Sequence, residues 1–377
     1  MNKKSTVFSW KNVILTAGAF AAYHIGAGFA SGQEVLQFFG SWGGVWPLIL
    51  PIIALIINAV YSSSGYMTGT TMQFDNPYKA YEYYGGKAFA KFMDIFSIIM
   101  IAGMGLSMFA GCGATVKQYL GIPVYVGALI LGIVAVIVIW FGLERVTQVL
   151  GVVGIVIIIT VLFVCVYSLT TNETGFFESQ KHIPEYVAEG KILQASVIGI
   201  KNPILSGLFY GGVQVLTCFH FVIGNGANLN NKKEDLASGI MSAALFVGGL
   251  YLVNCAVITN IDYIVEKEAE VPMLAVVEKI LPVLEPFFAI IIVCGIFTTI
   301  TGYLWTIGRR FAPDKTSKQR IIVAFVALCG IFGGSIIPFS TLVNFFTPLV
   351  GLVGFISFLF MAVHEIRAIA AKKNGGK

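Results

Sequence analysis

Short polar turns divide this chain into ten apolar runs, at 12–40, 43–70, 88–119, 123–142, 146–170, 202–228, 236–260, 286–308, 320–337 and 341–366. A bilayer's hydrocarbon core takes about twenty apolar residues per helix. No water is available there to satisfy an exposed backbone, so each run must close its own hydrogen bonds, and a run of this length does so as a helix. Composition agrees: 57% of the 377 residues are hydrophobic and 11% are charged, against roughly 25% charged in soluble proteins. The expectation is an all-α membrane protein of about ten transmembrane helices.

Placing each Lys and Arg on one side tests that count, because cytoplasmic loops are enriched in positive charge. With the N-terminus inside, the inner segments carry 18 of the 24 Lys and Arg. Missing or inventing one helix would degrade the asymmetry, so both termini are expected in the cytoplasm, in a cell (plasma or inner) membrane. The basic start, Met1 to Lys11, resembles a signal peptide, but the apolar run behind it continues to Phe39 and reads better as the first span. No basic run interleaves with aromatics, which argues against nucleic acid. The six cysteines fall in apolar stretches without a CxxC pair and read as small buried hydrophobes. No obligate protein partner is evident. The outer segment at 261–285 holds Val271, Leu274, Val277 and Leu281 at helical spacing, which predicts an amphipathic helix either on the outer face or folded into the protein.

Two runs are not plain. The first reads Tyr23-His24-Ile25-Gly26-Ala27-Gly28-Phe29-Ala30-Ser31-Gly32-Gln33-Glu34, and the sixth reads Ser206-Gly207-Leu208-Phe209-Tyr210-Gly211-Gly212-Val213-Gln214. Glycines, amides and a carboxylate at this depth are costly unless protein, ion or water satisfies them. First and sixth are corresponding positions if the chain is two five-helix repeats, residues 1–171 and 202–377, joined by an extracellular loop at 172–201. Because five is odd, the second repeat must be inverted. Paired interruptions of this kind mark a midplane binding site, which predicts discontinuous helices 1 and 6. The alternative is that the glycines only permit close helix packing, as Gly207-x-x-x-Gly211 would.

The stretch Gly26-Ala27-Gly28-Phe29-Ala30-Ser31-Gly32-Gln33-Glu34 resembles the first-helix signature of the YkvI-like family of bacterial membrane proteins. That family is in turn similar to the LeuT-fold amino acid, polyamine and organocation (APC) transporter superfamily. The resemblance implies that the N–H groups of Gly26, Ala27 and Gly28 hold a substrate carboxylate, and that Tyr210, Gly211, Gly212 and Gln214 complete the pocket. It further implies a sodium site formed by carbonyls of Ala22 and Ile25 with Gly295, Thr298 and Thr299. Those threonines could equally bond back to their own helix.

Glu34 is the most informative ionisable residue. It could bind a cation or a substrate amine, carry a proton, or pair structurally. His24 and His220 are candidates for the same coupling work, or hydrogen-bonded interior residues. His364-Glu365 opens like a zinc motif, but Ala368 stands where its second histidine belongs. The features favour sodium- or proton-coupled alternating-access transport of a small organic solute, an amino acid or related zwitterion, with no cofactor beyond a possible sodium ion. A channel, or a sensor that keeps a transporter fold, is the alternative. HExxH, G-x-S-x-G and the ATP-binding G-x-x-x-x-G-K-[ST] are all missing from the sequence, so neither an enzyme nor an ATP-driven pump is expected.

Overall fold

The computed structural model describes residues 8–24, 27–74, 76–141, 143–172, 174–196, 199–313 and 315–374. In chain order its α-helices are α1 (Trp10–His24), α2 (Ala27–Ser31), α3 (Gln33–Phe38), α4 (Trp46–Met72), α5 (Lys79–Leu120), α6 (Val124–Phe141), α7 (Leu143–Thr171), α8 (Phe176–Ser179), α9 (Ile183–Ala188), α10 (Pro203–Gly226), α11 (Lys232–Thr259), α12 (Ile261–Glu266), α13 (Pro272–Ile280), α14 (Glu285–Phe311), α15 (Ser317–Ile336) and α16 (Phe339–Asn374). Each of the ten apolar runs falls on helix. Seven helices, α4, α5, α10, α11, α14, α15 and α16, are individually long and apolar enough to cross a membrane. The fourth run is the shorter apolar helix α6, and the fifth is α7, whose side chains through position 155 lie outside the described residues. The chain is a multi-pass membrane protein. Its periphery bears the apolar side chains that hydrocarbon solvates, as along α15, where Phe332 is 72% exposed.

The first run is divided into α1, α2 and α3. Gly32 separates α2 from α3 with φ 76°, a left-handed conformation that glycine adopts without a Cβ penalty. Ser31 stabilises this break locally, its Oγ accepting the Gln33 backbone N–H at 3.2 Å. Ile25 and Gly26, between α1 and α2, lie outside the described residues.

The sixth run corrects the expectation. α10 is one continuous 24-residue helix, started by Pro203 and capped by the Asn202 side chain, which accepts the Leu205 N–H. Its glycines are contact surfaces instead. A Cβ at Gly207 would press on Leu50, one at Gly211 on Ile57, and one at Gly212 would strike the Gly351 carbonyl and the Phe355 backbone. Gly351 and Gly354 on α16 meet α10 backbone in turn. α10 thus lies wedged between α4 and α16 at near-backbone contact, the packing that small residues allow between helices in lipid.

α13 folds into the protein, with residues from Pro272 to Val277 buried against α2, α3, α11 and α14. The first run is held at both ends. At one end, Glu234 at the start of α11 accepts the Ser9 N–H at 2.8 Å and the Asn12 amide at 3.3 Å. At the other, the Gln37 carbonyl accepts the Ala195 N–H at 3.1 Å, and the Gln37 side chain donates to Ser340 O and accepts from Asn344. Glu270 in turn accepts the Ser340 N–H at 2.8 Å, tying the start of α16 into the same network.

Candidate functional site

A cavity of ≈ 470 Å³ lies inside the bundle, walled by α1, α2, α3, α5, α10 and α14 with Phe246 of α11 and Val350 of α16. Its wall on α14 runs from Thr298 to Thr306 and on α10 from Tyr210 to Phe221, so it sits toward the end of the bundle where those helices finish and α5 begins. α13, packed on α2, α3 and α14, and the hydrogen bonds among Gln37, Ser340 and Glu270 lie toward the opposite end, where α14 begins.

Glu34, in the first turn of α3, is buried and lines the cavity. Space for its carboxylate exists because residue 28 has no side chain: a Cβ on Gly28 would land on the Glu34 carboxyl group. The Tyr210 side chain lies beside the same carboxylate and also beside the Gln214 side chain. Gln214 is 3% exposed, and its Oε1 has no hydrogen-bond partner among the described residues. A buried amide oxygen in that state is an acceptor awaiting a donor.

Of the expected substrate residues, Gly28, Tyr210 and Gln214 are therefore brought together. Ala27 begins α2, with its side chain outside the described residues, and Gly26 is itself outside them. Gly211 and Gly212 pack on α4 and α16 and are not among the residues that line the cavity. Of the expected sodium ligands, Ile25 lies outside the described residues, as does the side chain of Ala22. Thr298 and Thr299 line the cavity, but both hydroxyls donate to the Gly295 carbonyl, at 2.7 and 3.2 Å.

The two histidines line the cavity and are engaged. His24 Nδ1 lies 2.9 Å from the Phe20 carbonyl and its Nε2 2.9 Å from Cys218 Sγ, so a neutral ring donating at Nδ1 and accepting the thiol proton at Nε2 satisfies both. His220 Nε2 faces the Tyr23 hydroxyl at 3.4 Å, and its ring stacks on Tyr78 at 5.1 Å. Sequence reasoning missed Met100, Met104 and Met108 on α5 and Tyr303 and Trp305 on α14, all of which line the wall. Apolar residues inside an apolar run carry no signal of facing a cavity rather than lipid.

No family model matches the sequence. The chain is similar to two uncharacterised proteins of Bacillus subtilis (strain 168). It is 22% identical to YyaD over 352 residues, covering 91% of this chain and 94% of that one. It is 20% identical to the membrane protein YkvI over 342 residues, covering 87% and 89%. Among solved structures, a mutant manganese transporter from Eremococcus coleocola matches with a TM-score of 0.57 at 14% identity, over 98% of this chain and 90% of that one. A substrate-bound, outward-open Na+-coupled sialic acid symporter matches with a TM-score of 0.59 at 13% identity, over 93% and 78%. The chain has the fold of these membrane transporters.

Proposed function

We propose that this protein is a secondary transporter that moves a small organic solute through the central cavity by alternating access, driven by a sodium or proton gradient. The observation that carries this reading is a mid-bundle cavity bounded by a divided first helix, lined by the buried Glu34 and Gln214, on a fold shared with transporters. Ten spans in two inverted repeats, with both termini cytoplasmic, remain the topology best supported by the charge asymmetry, although the second repeat's first helix is unbroken. In that orientation the cavity lies nearer the cytoplasmic side.

The solute presents a protonated amine to Glu34, a group that amino acids, related zwitterions and simple amines share. Thr298 and Thr299, with Gly295, are the sodium ligands in the symport form of the reading; two hydroxyls and nearby carbonyls are the oxygen donors a hard cation prefers. Glu34 carries the coupling in the proton form. The test is uptake of labelled amines and amino acids into liposomes holding the purified protein, under an inward sodium gradient, an inward proton gradient, or neither. Sodium-dependent uptake lost in the Thr298→Ala, Thr299→Ala double variant supports symport at that site. Failure of every solute to accumulate under either gradient rules the transport reading out.

A further inference from the structure

The cavity wall has a lopsided charge inventory. Among the described residues, Glu34 is its one carboxylate, and no Lys or Arg lines it. The guanidinium of Arg310 is committed elsewhere, 3.4 Å from Asp94. An anionic group brought into this space would meet no cation, and desolvating it there is unfavourable. Glu34 itself is 8% exposed and lies beside the Tyr210 side chain.

The position of that carboxylate is the more telling point. The resemblance assigns the backbone around Gly28 to a substrate carboxylate, yet the chain's own carboxylate already lies against Gly28. A second one beside it would be repelled. Glu34 and Gln214 Oε1, which has no partner among the described residues, are acceptors on either side of Tyr210, and an ammonium group offers three donors and no acceptor. A transition metal is a poor fit, because among the described residues no group of three or more His, Cys, Asp or Glu side chains converges. The rest of the wall, including Phe29, Phe246, Met104 and Tyr303, is suited to an apolar body and to the face-on contact aromatic rings make with cations.

We propose that the cavity takes a small organic cation, a protonated amine without a free carboxylate, with its ammonium held between the Glu34 carboxylate and Gln214 Oε1. This rests on the transport reading and narrows its solute class. Matched probes separate the two: phenethylamine against phenylalanine, and isoamylamine against leucine, each pair differing by one carboxylate. Binding is measured by calorimetry on the purified protein in nanodiscs, and uptake by the liposome assay.

The expected result is that each amine binds at least tenfold more tightly than its amino acid. Glu34→Gln, isosteric and uncharged, weakens amine binding at least tenfold, and Gln214→Leu weakens it about three- to tenfold, as loss of one hydrogen bond does. If Glu34→Gln does not fold, the wild-type ratio and Gln214→Leu carry the test. Equal or tighter binding of the amino acids, amine binding unchanged by both substitutions, or no binding of either amine overturns the proposal. Uptake reports separately: amines that bind through Glu34 but do not accumulate uphold this inference and refute transport, while amino acids that accumulate without needing Glu34 do the reverse.

Discussion

Gly28 and Glu34 work as a pair across the break in the first run, one giving up volume that the other's carboxylate fills. Gly28→Ala is expected to displace that carboxylate, abolish amine binding and lower stability by about 1–3 kcal/mol, as overpacking does; calorimetry and thermal unfolding in detergent read the two effects. Gly32→Ala carries a different penalty. Its φ of 76° strains any Cβ, and that Cβ would meet Met273 and Val257 at 3.0 and 3.1 Å. A loss of about 1–3 kcal/mol is expected in the unfolding midpoint. At this scale the sequence was readable where a polar group interrupts an apolar run: Glu34, Gln214, Tyr210, His24 and His220 all reach the cavity wall. Met100, Met104 and Met108 reach it too, but on a membrane helix a methionine facing a cavity and one facing lipid are the same letter.

For whole helices, the glycine pair of α10 shows what a single segment cannot reveal. Gly211-Gly212 reads equally as an unwound turn or as a surface for close approach, and the deciding information lies on α16, at Gly351 and Gly354. Gly212→Ala and Gly354→Ala are expected to push α10 and α16 apart and cost about 1–3 kcal/mol each. Gly248→Ala on α11, where a Cβ meets open space, is the control and gains up to about 1 kcal/mol from helix propensity. Thermal midpoints of the three variants check the contrast. The outer elements carry a pH-dependent link: His182 Nδ1 lies 2.8 Å from Asp262 on α12, and Tyr186 donates to the same oxygen. The hydrogen bond and charge of Asp262 hold the His182 imidazolium above the usual histidine range, with Glu185 and Glu178 adding to it. A raised folded-state value means that the link stabilises fully below the ordinary histidine pKa of about 6.5 and is lost as pH rises through the raised one. The midpoint difference between wild type and His182→Gln should therefore be largest below the ordinary histidine pKa of about 6.5 and fade as pH rises above it. A difference that grows with pH would contradict it.

Taken whole, the molecule is a bundle with a cavity among its helices. Thr306, on its wall near the Arg309–Arg310 end of α14, is a reporter of access. In a cysteine-free background, Thr306→Cys is expected to react with a membrane-impermeant maleimide in inside-out vesicles and not in right-side-out ones. The reverse pattern would invert the orientation. The helical layout was legible because hydrocarbon imposes a length and a composition on every span. The depth at which α13 is buried was not, because an amphipathic nine-residue helix reads alike on a surface and in a core.

The first run is fastened at Ser9 and Asn12 to Glu234 and at Gln37 to Ala195, Ser340 and Asn344, with Gly32 between. Mechanically this is a jointed rod bolted at both ends. Hydrogen bonds to charged groups are worth about 1.5–3 kcal/mol each and neutral ones about 1, so either bolt holds with a few kcal/mol. A membrane potential supplies only about 2.3 kcal/mol per charge per 100 mV. On these magnitudes, releasing one bolt costs about what one or two elementary charges gain in crossing 100 mV, and releasing both costs about twice that.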